Sequence, residues 1–142
     1  MFNPSRADVR DLFFGTWRKY GAGEPLAGIE TLALEAILAH PEYHDVLSHP
    51  ERWREKDYTD ESNPFLHMSL HVALAEQLSI DQPPGVVALF GEILLQKSDR
   101  HLALHEAIEC LAETVWRAQR DRRPPDAQAY LDCLGSRLRG KD

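Results

Sequence analysis

Six of the seven histidines in this 142-residue chain fall into pairs four residues apart: His40/His44, His67/His71 and His101/His105. Random placement gives well under one such pair, so the spacing itself is informative. On an α-helix this spacing puts both imidazoles on one face, one turn apart, which is the geometry a chelating pair needs. Neutral imidazole suits zinc, iron, copper and nickel, and His-x-x-x-His on a helix is a recurrent way to hold such an ion. The seventh histidine, His49, precedes Pro50 in a polar stretch and reads as solvent-exposed.

The direction of each pair follows from a rotation of about 100° per residue. With His67 at the origin, His71 lies near 40°, and Leu74 and Leu78 fall within about 20° of His67. With His101 at the origin, His105, Ile108 and Ala112 gather on one side in the same way. Both pairs therefore sit in apolar stripes and face a core. Buried imidazoles need partners for both ring nitrogens, and a shared metal ion supplies one.

The two helices also read as copies, HMSLHVALAE at 67–76 and HLALHEAIEC at 101–110, sharing His-x-x-Leu-His-x-Ala. Paired metal-bearing helices are how helical bundles build dinuclear centres. Glu109 continues the His105 face by four residues and is a candidate ligand or bridge, whereas the first copy carries Ala75 at that place. His40 and His44 are separated by the helix-breaking Pro41; if the turn persists they point inward with Ala33 and Ile37. The expected metal ligands are His67, His71, His101 and His105, completed by Glu109 and by His40 or His44. Glu30 reads as a first-turn carboxylate supporting its helix dipole.

The elements that must position these residues are helical. Ser5 followed by Asp8 resembles a capping box for a helix carrying Val9, Leu12, Phe13, Thr16, Trp17 and Tyr20, ended by Gly21-Ala-Gly23. A second helix runs from Pro25 or Ala27 to His40, and 41–47 is a short helical turn. Residues 48–62 form a polar loop around Trp53 and Tyr58. Asn63-Pro64 opens a long helix to about 79, and Asp81 to Gly85 is a turn. Further helices cover 86–97, 100–119 and 127–138, the last two capped by Ser98 or Asp99 and by Asp126. Nothing alternates with period two. The expectation is an all-α, single-domain bundle of five to six helices over residues 1–142.

Composition narrows the function classes. The net charge of −7 argues against nucleic-acid and anionic-membrane partners. The one basic cluster, Arg117 to Arg123, reads as a solvated helix end without interleaved aromatics. No apolar run approaches the roughly 20 residues of a membrane span, and the N-terminus lacks the apolar stretch of a signal peptide. Two cysteines are too few for a disulfide scaffold, so the expected location is cytoplasmic. Cys110 lies near 180° from His101 and faces away from the ligand side. A glycine-rich phosphate loop is absent.

The strings HPEYHDVL, NPFLHMSLHVALAEQLSIDQPPG and HLALHEAIECLAETVWRAQR resemble a proteobacterial family known only as domain of unknown function (DUF) 1841. The resemblance runs from FNPSR to the YLDCL segment and implies no activity. In type of constellation the chain is also similar to hemerythrin-type helical metalloproteins, an analogy of architecture only.

Two functions remain in view. The first is a helical metalloprotein, mono- or dinuclear, holding iron or manganese for oxygen or peroxide chemistry, or zinc for hydrolysis. In the zinc case the ion lowers the pKa of a bound water and Glu109 or Glu113 takes its proton. A histidine-rich shell suits dioxygen or a small anion as the bound species. The second is a metal-free interaction or scaffold protein with a buried, pH-sensitive His/Glu cluster. Homo-oligomer formation is compatible with either.

Overall fold

The computed structural model describes residues 6–58 and 63–139, without the side chains of Arg6 and Arg139. Every regular element among them is helical: α1 (Arg6–Ala22), α2 (Ile29–Leu38), a 3-10 turn (Pro41–Tyr43), α3 (His44–Leu47), α4 (Pro50–Trp53), α5 (Pro64–Ile80), α6 (Val86–Lys97), α7 (Arg100–Asp121) and α8 (Ala127–Arg139). The expected five to six helices correspond to the six of ten or more residues. The surplus is α3 and α4, single turns produced where Pro41 and Pro50 start short helical segments that the chain does not extend. The polar stretch 48–62 is thus part helix, and α2 begins later than its first apolar residues suggest.

Side chains set the starts of the last four helices. Asn63 Oδ1 accepts the N–H groups of Phe65 and Leu66 at 3.0 and 3.2 Å. Asp99 Oδ1 accepts from Leu102 N–H at 3.1 Å and Asp126 Oδ1 from Ala129 N–H at 3.0 Å. Each satisfies donors that a helix N-terminus leaves orphaned, worth about 1 kcal/mol apiece. Asp81 serves α6 from a distance, accepting from Val87 N–H at 3.0 Å. The Ser5 cap lies outside the described residues.

The chain divides into two compact units, residues 1–73 and 74–142, with the boundary inside α5. In the first, α1 packs on α2, and the core gathers Phe13, Phe14, Ala33, Ala36, Ile37 and Leu47 with Phe65, Met68 and Val72 from the start of α5. Burial of each of the larger side chains contributes roughly 1.5–3 kcal/mol. Arg10, only 2% exposed, lies in the same interior. Its guanidinium donates to the carbonyls of Arg54 and Lys56 at 2.7 Å and of Trp53 at 3.3 Å, and lies over the rings of Phe65 and Tyr58. A buried cation needs such acceptors to offset its lost hydration, and in return it fastens residues 53–58 to α1.

In the second unit α6, α7 and α8 pack on one another around Phe90, Ile93, Ala103, Ala107, Leu111 and Leu134. Tyr130 Oη donates to Gln77 Oε1 at 2.7 Å. A disulfide joins Cys110 of α7 to Cys133 of α8, with the Cα atoms 5.7 Å apart. Cys110 does point away from the His101 side, as the helical rotation requires, and that direction is where α8 lies. Arg137 adds a second tie, reaching Glu106 at 3.1 Å and Glu109 at 2.6 Å, while Lys97 meets the other oxygen of Glu106 at 3.1 Å. No described helix is long and apolar enough to cross a membrane.

Candidate metal centre

Three histidines of the first unit converge on one point. Nε2 of His40 lies 3.0 Å from Nε2 of His71 and 3.0 Å from Nε2 of His67, and the latter two are 3.2 Å apart. The rings meet edge to face, so each nitrogen is aimed at the centre rather than stacked against its neighbour. His67 and His71 are presented by consecutive turns of α5, held by Asn63 at its start and by Phe65, Met68 and Val72 in the core. His40 arrives from the other side. Its backbone (φ −130°, ψ 72°) has left the α2 helix, and Pro41 directs the chain into the 3-10 turn. His40 is 4% exposed and His71 6%.

Three nitrogens at these distances cannot satisfy one another as neutral imidazoles. A hydrogen bond needs one N–H and one lone pair on each edge of the triangle, and three corners cannot alternate. At least one edge must set lone pair against lone pair or proton against proton. A single cation at the centre accepts all three lone pairs at once. Ions of the first transition row bind imidazole nitrogen at about 2.0–2.1 Å, which separates neighbouring ligand atoms by roughly 3.0–3.4 Å. The observed triangle lies in that range.

The surroundings match the donor set. Nδ1 of His40 lies 2.7 Å from Glu42 Oε2. A carboxylate there accepts the Nδ1 proton, fixes the tautomer and leaves the Nε2 lone pair free to bind, the usual outer partner of a metal-bound imidazole. Tyr43 stacks on His40 with ring centres 5.1 Å apart and turns its face to the edge of His67 at 6.4 Å. Burial, aided by the charge of Glu42, holds the Tyr43 hydroxyl above its ordinary pKa, so it stays protonated.

Of the other expected ligands, His44 and Glu109 have partners of their own. His44 Nε2 donates to the Ile37 carbonyl at 2.8 Å and its ring packs on Trp17 at 4.4 Å. It therefore does not share a helix face with His40, because Pro41 interrupts the turn between them. His101 and His105 lie together on α7 with ring centres 4.1 Å apart, half-buried beside Ala107 and Ile108. The Glu109 carboxylate is 62% exposed and engaged by Arg137, and Glu113 pairs with Arg117 at 2.8 Å. Glu30 meets Lys19 at 2.7 Å and the Ala27 N–H at 3.3 Å, which holds its carboxyl below the usual carboxylate range. His49 Nδ1 caps the Asp45 carbonyl at 2.9 Å. Sequence reasoning missed Glu42 and Tyr43. Their signal was the run His-Pro-Glu-Tyr, where proline starts a tight turn that folds the carboxylate back onto the histidine preceding it.

No curated protein and no solved structure matches the chain. A family model does, over residues 5–136, a span that contains every histidine named above. The chain belongs to the family described as domain of unknown function DUF1841.

Proposed function

We infer that the protein binds a divalent first-row transition ion through Nε2 of His40, His67 and His71. The observation that carries this is the triangle of three nitrogens 3.0–3.2 Å apart, which neutral imidazoles cannot satisfy among themselves. Three neutral donors leave the ion its full charge, and zinc and iron both accept such a set. A small anion, hydroxide or dioxygen would fill a remaining position. Zinc there would supply an activated water for hydrolysis; iron or manganese would supply oxygen or peroxide chemistry. Glu42 orients His40, and the Tyr43 ring stacks beside it.

His101 and His105 are retained as further ligands, from the His-x-x-Leu-His-x-Ala pattern that they share with His67 and His71. A cytoplasmic location remains part of the proposal, and in that compartment a Cys110–Cys133 bond would be a reversible feature.

The test is metal analysis of the full chain purified without chelators or a histidine tag. One equivalent of zinc or iron is expected, absent from the His67→Ala/His71→Ala variant. An absorption band in the near ultraviolet and visible would mark iron, since zinc is silent there. Substoichiometric metal that does not change in the double variant would overturn the proposal in favour of a metal-free cluster. A His105→Ala chain that keeps its full equivalent would confine the ligands to the first unit.

A further inference from the structure

The arginine cluster, which the metal site does not use, borders the disulfide. Between α7 and α8 lies a cavity of about 310 Å³ lined by Cys110, Cys133, Thr114, Arg117, Arg120 and Arg123 among others. That volume is at the lower end of what small-molecule sites offer. The two sulfur-bearing residues are unequal. Cys110 is fully buried, whereas Cys133 is half-buried, so Cys133 is the more exposed residue of the pair.

The lining carries three arginines and three carboxylates, and they are not all engaged alike. Arg117 is paired with Glu113 and Arg120 with Asp121, while Asp126 spends an oxygen on the Ala129 N–H. Arg123 lines the same cavity and has no carboxylate partner among the described residues. A disulfide that lines a cavity and is more exposed at Cys133, next to an uncommitted guanidinium, has the parts that exchange with an anionic thiol needs: a side from which to approach and a cation for the attacking molecule.

We propose that the Cys110–Cys133 pair is a thiol–disulfide exchange site whose cavity receives a small anionic thiol, such as a cysteine peptide with free carboxylates. The incoming thiolate attacks Cys133 Sγ. A new sulfur–sulfur bond forms there, the Cys110–Cys133 bond breaks, and its electron pair leaves on Cys110 Sγ, which takes a proton from water. A second thiolate then attacks the outer sulfur of the mixed disulfide, releasing Cys133 as a thiolate and the small molecule as its own disulfide. The protein gains two electrons and the small thiol supplies them. Arg123 holds a carboxylate of the thiol and is a positioning residue.

The experiment treats the oxidised full chain with reduced glutathione under native conditions, quenches in acid, alkylates after denaturation and maps the peptides. Glutathione is expected on Cys133 and the alkyl group on Cys110. A disulfide that opens only in denaturant, or glutathione found on Cys110, would overturn the proposal. Arg123→Glu should slow the reaction with glutathione about threefold, the order expected for one exposed charge in screened solution, and Arg123→Gln somewhat less. Neither change should move the rate with 2-mercaptoethanol, which is neutral. Equal slowing with both thiols would show that Arg123 supports the helices rather than the ligand, and would remove the anion from the proposal.

Discussion

Replacing Glu42 with glutamine tests whether His40 is oriented for a metal. The carboxylate lies 2.7 Å from Nδ1 of a ring that is almost fully buried, but is itself 59% exposed. A hydrogen bond to a charged group contributes about 1.5–3 kcal/mol, and solvent screening of the exposed carboxylate brings the value to the lower end. Glutamine keeps an acceptor oxygen and loses only the charge, so about half of that, ~0.7 kcal/mol, should disappear, or roughly threefold in metal affinity. Glu42→Ala removes the acceptor as well and should cost the whole bond, about tenfold. The assay is competition for zinc against a chromophoric chelator, with circular dichroism to verify folding. His40→Ala, which deletes a ligand, should be weaker than either. A folded Glu42→Gln chain within twofold of the original would refute the orienting role, and a His40→Ala chain of unchanged affinity would refute the triangle itself.

His44→Phe should leave the metal content intact and cost about 1 kcal/mol of stability, because its ring bonds a carbonyl and packs on Trp17 rather than joining the cluster; loss of metal in this variant would contradict the assignment. Arg10→Met strands three carbonyl acceptors and should destabilise the chain by about 3–5 kcal/mol in urea unfolding, with new proteolytic cleavage between Trp53 and Tyr58. Burial pushes the Tyr130 hydroxyl up to about 12, from 10 when exposed. The fold thus favours the protonated form, so its contribution is complete below about pH 10 and declines as pH rises towards 12. Tyr130→Phe should lose about 1 kcal/mol at pH 8 with the Gln77 bond and show a shallower alkaline decline in urea midpoint.

Much of this molecule was legible from local chemistry. Asn63, Asp99 and Asp126 cap the helices they precede, since a short polar side chain beside an orphaned N–H acts within one turn. His67 and His71 face one way because 3.6 residues per turn leaves no alternative. The same rotation turned Cys110 away from His101. The rotation could not identify what waits on the far side of Cys110, because the Cys133 that closes the bond lies 23 residues on, in another helix.

The convergence on His40 belongs to the tertiary structure. His40 and His71 are 31 residues apart, and their nitrogens meet only because the α1–α2 core, with Phe65, Met68 and Val72 packed into it, fixes where α5 runs past the end of α2. Pairing by four residues suggested His40 with His44, yet Pro41 splits them, sending one ring to the cluster and the other to Trp17. The Glu109 carboxylate, inward on a helical wheel, was taken by Arg137 of α8 once those helices packed. The sequence by itself determined the long helices, the caps of α5, α7 and α8 and the shared face of His67 and His71, because those depend on neighbours within a turn. Which nitrogens share a point was decided by long-range packing, where a few ångströms of helix placement select one partner from several of the right chemistry, whereas the carboxylate that supports His40 comes from the turn two residues on.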